Sequence, residues 1–247
     1  MPGIQLQGPE ADLENPTLVE GFPGLGLVGK IATDHLVREL EMRYYASVDC
    51  DGLPEIGVYR GDDRTARPPV RVYVSEAHDL LAIQSDVPIR SQAVETVASC
   101  VTGWVVEQDA TPIYLSGLPA ERDDDEPAIY GIATGEAGVA LEENDVDSPP
   151  EDGVVTGPTG ALINRAAHHG HDSIGLVVEA SPQFPDPEAA SVLLEAGIGP
   201  VSGLEINVQD LVDHAAEIRE KREQFAQQMQ RIGQEESSQA QPLRMYQ

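Results

Sequence analysis

Residues 1 to about 205 predict an α/β domain whose mixed or largely parallel sheet is covered on both faces. Strand-forming runs alternate with amphipathic stretches, and a strand, glycine turn, helix pattern opens the chain at residues 17–40 and returns at 154–169. The 247 residues, 40% of them hydrophobic, suffice for a substantial core.

The first strand, Thr17-Leu-Val-Glu-Gly-Phe22, runs into Gly21-Phe-Pro-Gly-Leu-Gly-Leu-Val-Gly-Lys30. A helix over residues 27–40 follows, with Leu27, Ile31, His35, Leu36 and Leu40 at helical spacing. Within the turn, Gly24, Gly26 and Gly29 satisfy GxGxxG, and Asp49, closing a strand at 43–48, stands where a ribose-binding acid belongs. Backbone N–H groups at the helix N-terminus would then cradle a pyrophosphate. The same glycines equally serve a tight turn and close helix–sheet packing with no ligand. A P-loop is excluded because Ile31 stands where magnesium needs Ser or Thr.

Strands are expected at 56–59, 70–74 and 80–83, with a surface loop at 61–69 and a hairpin turn at 76–79. From 89 to 107, Ala93, Val97, Cys100, Val101, Trp104 and Val105 share one helical face. A buried strand at 112–115 leads to an acidic loop at 117–127, and a strand at 129–134 to another acidic loop at 142–152. The loop acids lack the glycine and ligand spacing of a calcium-binding EF-hand. The second glycine turn, Gly157-Pro-Thr-Gly160, feeds a helix over 161–169; a strand at 174–178, a proline-stiffened loop and a helix over 188–196 complete the domain.

The formal net charge is −28, from 43 acidic and 15 basic residues, of which only Lys30 and Lys221 are lysines. Such a field repels phosphates and anionic headgroups, so neither nucleic acid nor membrane is an expected partner. Acid-rich, lysine-poor sequences belong to proteins of salt-saturated cytoplasm, where counter-ions screen self-repulsion. The N-terminus lacks signal-peptide regions and no apolar run reaches spanning length, so a cytoplasmic location is expected. Cys50 and Cys100 are expected to be reduced and buried. His168, His169 and His171 have no nearby cysteine to complete a metal site, no GxSxG elbow occurs, and neither metal, cofactor nor catalytic residue is expected.

Residues 206–232 read as a separate amphipathic helix, N-capped by Asn207. Val208, Leu211, Ala215, Ile218, Arg222, Phe225, Met229 and Ile232 form a heptad seam. Up to about Ile218 the helix is expected to lie on its own domain, and beyond it the stripe of Phe225, Met229 and Ile232 is expected to meet another helix as an oligomer contact. Gly233 ends it, and 233–247 is expected to be a flexible tail closing in Met245-Tyr246-Gln247. A hydrophobic residue, a tyrosine and any residue at a free carboxyl end form the pattern by which docking proteins enter the pockets of the proteasome's outer ring.

The Gly21–Lys30 stretch, the Gly157-Pro-Thr-Gly-Ala-Leu-Ile163 turn and Phe184-Pro-Asp-Pro-Glu-Ala-Ala190 resemble the archaeal branch of the proteasome-assembling-chaperone family, over about residues 17–215. The resemblance implies a three-layer α/β/α sandwich with a mixed sheet, akin to the nucleoside phosphorylases, self-associating subunits and no established catalytic activity. Some archaeal members carry a C-terminal tail that docks on the proteasome core particle, and Met245, Tyr246 and Gln247 match that motif position by position as the expected docking residues. The competing reading is a nucleotide-dependent enzyme using Gly24, Gly26, Gly29 and Asp49.

Overall fold

The computed structural model describes residues 3–60, 63–120, 126–182, 185–209, 211 and 213. Its strands are β1 (Gly3–Leu6), β2 (Thr17–Gly21), β3 (Arg43–Asp49), β4 (Val58–Arg60), β5 (Asp63–Arg67), β6 (Val70–Ser75), β7 (Leu80–Ser85), β8 (Thr111–Pro119), β9 (Ile129–Thr134) and β10 (Ser173–Ala180). The helices are α1 (Val28–Glu39), α2 (Val94–Glu107), α3 (Gly138–Glu143), α4 (Gly157–His169), α5 (Pro187–Val192) and α6 (Gly199–Ser202). A π-helical turn, Leu193–Ile198, joins the last two.

The main sheet has eight strands in the order β1-β3-β6-β7-β2-β8-β10-β9. Its centre, β7-β2-β8-β10, is parallel, whereas β1, β6 and β9 run against their neighbours. Alternation along each strand sends one set of side chains to each face. Val19, Leu80, Ala82, Ile113, Leu115 and Leu176 pack with α1 and α5, while Leu18, Leu81, Ile83 and Tyr114 pack with α2 and α4. Hence the sheet is the middle of three layers.

The helical periodicities translate directly into packing. On α2, Val97, Val101 and Val105 are fully buried, and each contributes roughly 1.5–3 kcal/mol by leaving water. Pro158 sits in the first turn of α4, where no intrahelical N–H is lost, so that helix begins at Gly157 and not at residue 161. The helix expected at 188–196 continues through the π-helical turn to Ser202.

Several expectations are corrected. Residues 61–69 are not simply a surface loop, because β5 pairs with β4 in a hairpin apart from the main sheet. β1 and the short α3 were not expected; β1 has no fully buried residue and α3 only Leu141, so neither carries a hydrophobic period. Cys50 and Cys100 are not reduced: they form a disulfide with a Cα–Cα distance of 6.3 Å. The sheet order brings the end of β3 beside α2, a proximity that a separation of 50 residues conceals.

Beyond α6, Asn207 Oδ1 accepts a hydrogen bond from Gln209 N, and the Asn207 carbonyl lies 2.7 Å from His35 Nε2 on α1. Val208 and Leu211 are buried in the α1–α5 side of the core. The rest of the heptad seam lies outside the described residues.

Candidate functional site

The C-terminal ends of the parallel strands gather the glycine turn, the N-termini of α1, α4 and α5 and several buried polar groups. At Gly21 a Cβ would lie 2.5 Å from the Gly29 carbonyl, so α1 meets β2 closer than any side chain allows. Gly29 answers from the helix, where a Cβ would stand 3.2 Å from Leu115 Cβ. Gly26 has φ 61°, a left-handed conformation in which glycine is unstrained, and a Cβ there would meet Ala180 and Asp186 at 3.1 and 3.3 Å. Only at Gly24, which is extended, would a Cβ meet nothing within 4 Å.

Asp186 explains why the turn needs this geometry. Its backbone N–H donates to the Gly26 carbonyl at 2.8 Å, while its carboxylate accepts from Ser181 N at 2.8 Å and from Ala189 N at 3.1 Å. It therefore caps α5 and ties the end of β10 to the glycine turn.

Asp49 takes no part. It ends β3 opposite Gly3, and β6 and β7 separate β3 from β2. Three strand spacings put it roughly 14 Å from the turn, whereas a dinucleotide fold needs the acid on the neighbouring strand. Gly24, Gly26, Gly29 and Asp49 are not one site.

Lys30 is engaged internally, with Nζ 2.5 Å from Asp34 Oδ2 and 3.4 Å from Asp86 Oδ1. Asp86 also accepts from Arg71 Nη2 at 2.5 Å. Arg71 is 1% exposed and donates further to the Pro68 carbonyl and the Tyr73 hydroxyl. The network closes two cations against two carboxylates.

On the opposite face lies Glu20, with no solvent exposure. Its carboxylate accepts from Phe22 N at 2.7 Å and from the Thr159 hydroxyl at 3.1 Å, joining the β2 turn to the first turn of α4. Burial pushes its pKa up to about 7, outweighing the hydrogen bonds that pull it down. Tyr114 is its register partner on β8; burial and then the Glu20 charge push the phenol above its ordinary range. The Tyr114 hydroxyl has no hydrogen-bond partner among the described residues.

Glu20 and Arg71 carry no sequence signal of a site. Each is a lone charge in an apolar strand, and since every residue of β6 is buried, alternation there does not mark a solvent face. His171 Nε2 lies 3.2 Å from the Ala110 carbonyl. The acids at 121 and 123–125, and the docking residues Met245, Tyr246 and Gln247, lie outside the described residues.

The PAC2 family matches this chain over residues 18–226. The chain belongs to the PAC2 family. The matched span takes in the glycine turn, Glu20, Arg71 and Asp186, and stops before Met245. An uncharacterized protein of Methanocaldococcus jannaschii is 30% identical over 219 residues, 88% of each chain. Among solved structures, Pyrococcus furiosus PbaA, described as an archaeal homolog of proteasome-assembly chaperone, superposes with a TM-score of 0.80 at 28% identity, over 96% of this chain and 97% of its own. Pyrococcus furiosus PbaB, described as an archaeal proteasome activator, gives 0.76 at 24% identity over 90% and 98%, a likeness of fold. The mixed eight-stranded α/β architecture is thus that of PAC2 proteins.

Proposed function

We propose that this PAC2 protein is a non-enzymatic assembly chaperone or adaptor of the proteasome core particle. It works as a homo-oligomer in the cytoplasm and docks on the outer ring through Met245, Tyr246 and Gln247. The observation that carries the reading is the likeness to PbaA along nearly the whole of both chains. The internal engagement of the glycine turn, Lys30 and Glu20 supports it, since these groups are engaged in packing and capping.

The body, 1–205, presents a helix at 206–232 for oligomer contact and a tail at 233–247 for docking. Tyr246 fills an apolar pocket and hydrogen-bonds through its hydroxyl, Met245 adapts to the pocket wall, and the Gln247 carboxylate pairs with a lysine. Several tails on one oligomer raise avidity with no new contact.

A free peptide ending in Met-Tyr-Gln tests the docking residues. It is expected to compete with the protein for the core particle, whereas the same peptide with the tyrosine replaced by alanine fails to compete. Equal competition by both peptides would remove Tyr246 from the docking motif.

A further inference from the structure

Outside the site described above, a cavity of about 490 Å³ opens between β1 and α2. Its wall includes both halves of the disulfide, with Ile4, Asp51, Trp104 and Glu107 around them. Gly103 leaves the α2 side open, since a Cβ there would meet nothing within 4 Å. Cys50 is buried at 3% exposure, whereas Cys100 is only half-buried, so the pair is approached from the α2 side. The volume falls in the range that holds small organic ligands.

We propose that the Cys50–Cys100 disulfide and the cavity beside it form a thiol-exchange site, attacked at Cys100 by a small neutral or cationic thiol. The ionisable groups of the lining are the carboxylates Asp51 and Glu107; Arg165 Nη2 donates to the lining's Ser99 Oγ at 2.7 Å, which leaves the carboxylates in excess. They repel an anionic thiol and attract a cationic one. The incoming thiolate forms a bond to Cys100 Sγ as the Cys50–Cys100 bond breaks; Cys50 leaves as a thiolate and takes a proton from water. A second thiol attacks the mixed disulfide and releases Cys100, so two thiols are oxidised to one disulfide and both cysteines are reduced.

Non-covalent packing joins the same elements independently of this bond. α2 keeps its buried valines and its packing on α4, and β3 keeps its ladders to β1 and β6. Reduction therefore removes the covalent tie between the end of β3 and α2, while Val48 and Cys50 keep their place in the core beside α2.

The test uses the folded, full-length oxidised protein with cysteamine, mercaptoethanol and mercaptopropionate, each rate normalised to its thiolate concentration and to its rate with a small model disulfide. Release of thiols is followed by alkylation and mass, and by the fluorescence of Trp104, the single tryptophan, which shares the cavity wall with the disulfide and is expected to brighten when that quencher is reduced. Cysteamine is expected to outpace mercaptopropionate by about tenfold at low salt, with the ratio shrinking in Glu107→Gln and in molar salt. Peptide mapping of the trapped intermediate in the unsubstituted chain places the adduct on Cys100. Thiol release only after denaturant, rate ratios equal to those of the model disulfide, or an adduct on Cys50 would overturn the proposal.

Discussion

Glu20 is a carboxyl that folding moves into the centre of a sheet, and the consequence is a pH-dependent stability of definite sign. Its pKa rises from 4.5 to about 7 on folding, so between these values the folded state holds a proton that the unfolded state has released. The stability that Glu20 contributes is whole below pH 4.5, declines as pH rises through 7, and changes no further above it, a total of about 3 kcal/mol. Urea midpoints at about pH 5 and about pH 8 are expected to show this loss in the unsubstituted protein and not in Glu20→Gln; equal slopes would place the titration elsewhere. Neither Glu20 nor Arg71 was legible as buried, because in a strand covered on both faces a charge and its apolar neighbours are equally enclosed. Glu20 is held by Phe22 N and Thr159, and Arg71 by Pro68, Tyr73 and Asp86; the distant partners among these, Thr159 and Asp86, are set by the fold.

The glycine turn and its helix were legible as elements, since a strand, a glycine-rich bend and an amphipathic helix each leave a local signature. Their purpose was not. Two uses of the same glycines, a phosphate cradle and a close helix–sheet contact, write the same letters, and only the strand order separates them by removing Asp49 from the neighbourhood. The packing use makes a differential prediction. Gly21→Ala pushes α1 off β2 and is expected to cost about 3 kcal/mol, while Gly24→Ala, with open space at its Cβ and an extended backbone, shifts stability by less than about 0.5 kcal/mol. Denaturant melts of the two variants decide it, and comparable losses would mean that the turn is not held by packing. β1, the β4–β5 hairpin and α3 were illegible or misread for a common reason: each buries too little to impose a period on its sequence. The disulfide was hidden because it joins elements whose adjacency is decided by sheet order.

For the molecule as a whole, the three-layer architecture could be anticipated from the alternation of elements, whereas the order of its strands could not. The net charge of −28 acts on the whole chain. Self-repulsion of that size falls as salt screens it, and the Debye length shortens from about 10 Å at 0.1 M to about 3 Å at 1 M. The melting temperature is therefore expected to rise steeply from dilute buffer to molar potassium chloride, and a flat response would deny that the charge is an adaptation to salt. The proposed proteasome role rests, for the body, on the likeness to PbaA, and the proposed docking rests on Met245, Tyr246 and Gln247.

The most direct measurement is binding of the purified protein to the proteasome core particle of its own organism in molar salt, with the intact chain beside one that ends at Arg244. Salt screens the rim charges, so the binding that persists reports the pocket. The intact chain is expected to bind and the shortened one is not; equal binding by both, or none by the intact chain, would contradict docking through the tail.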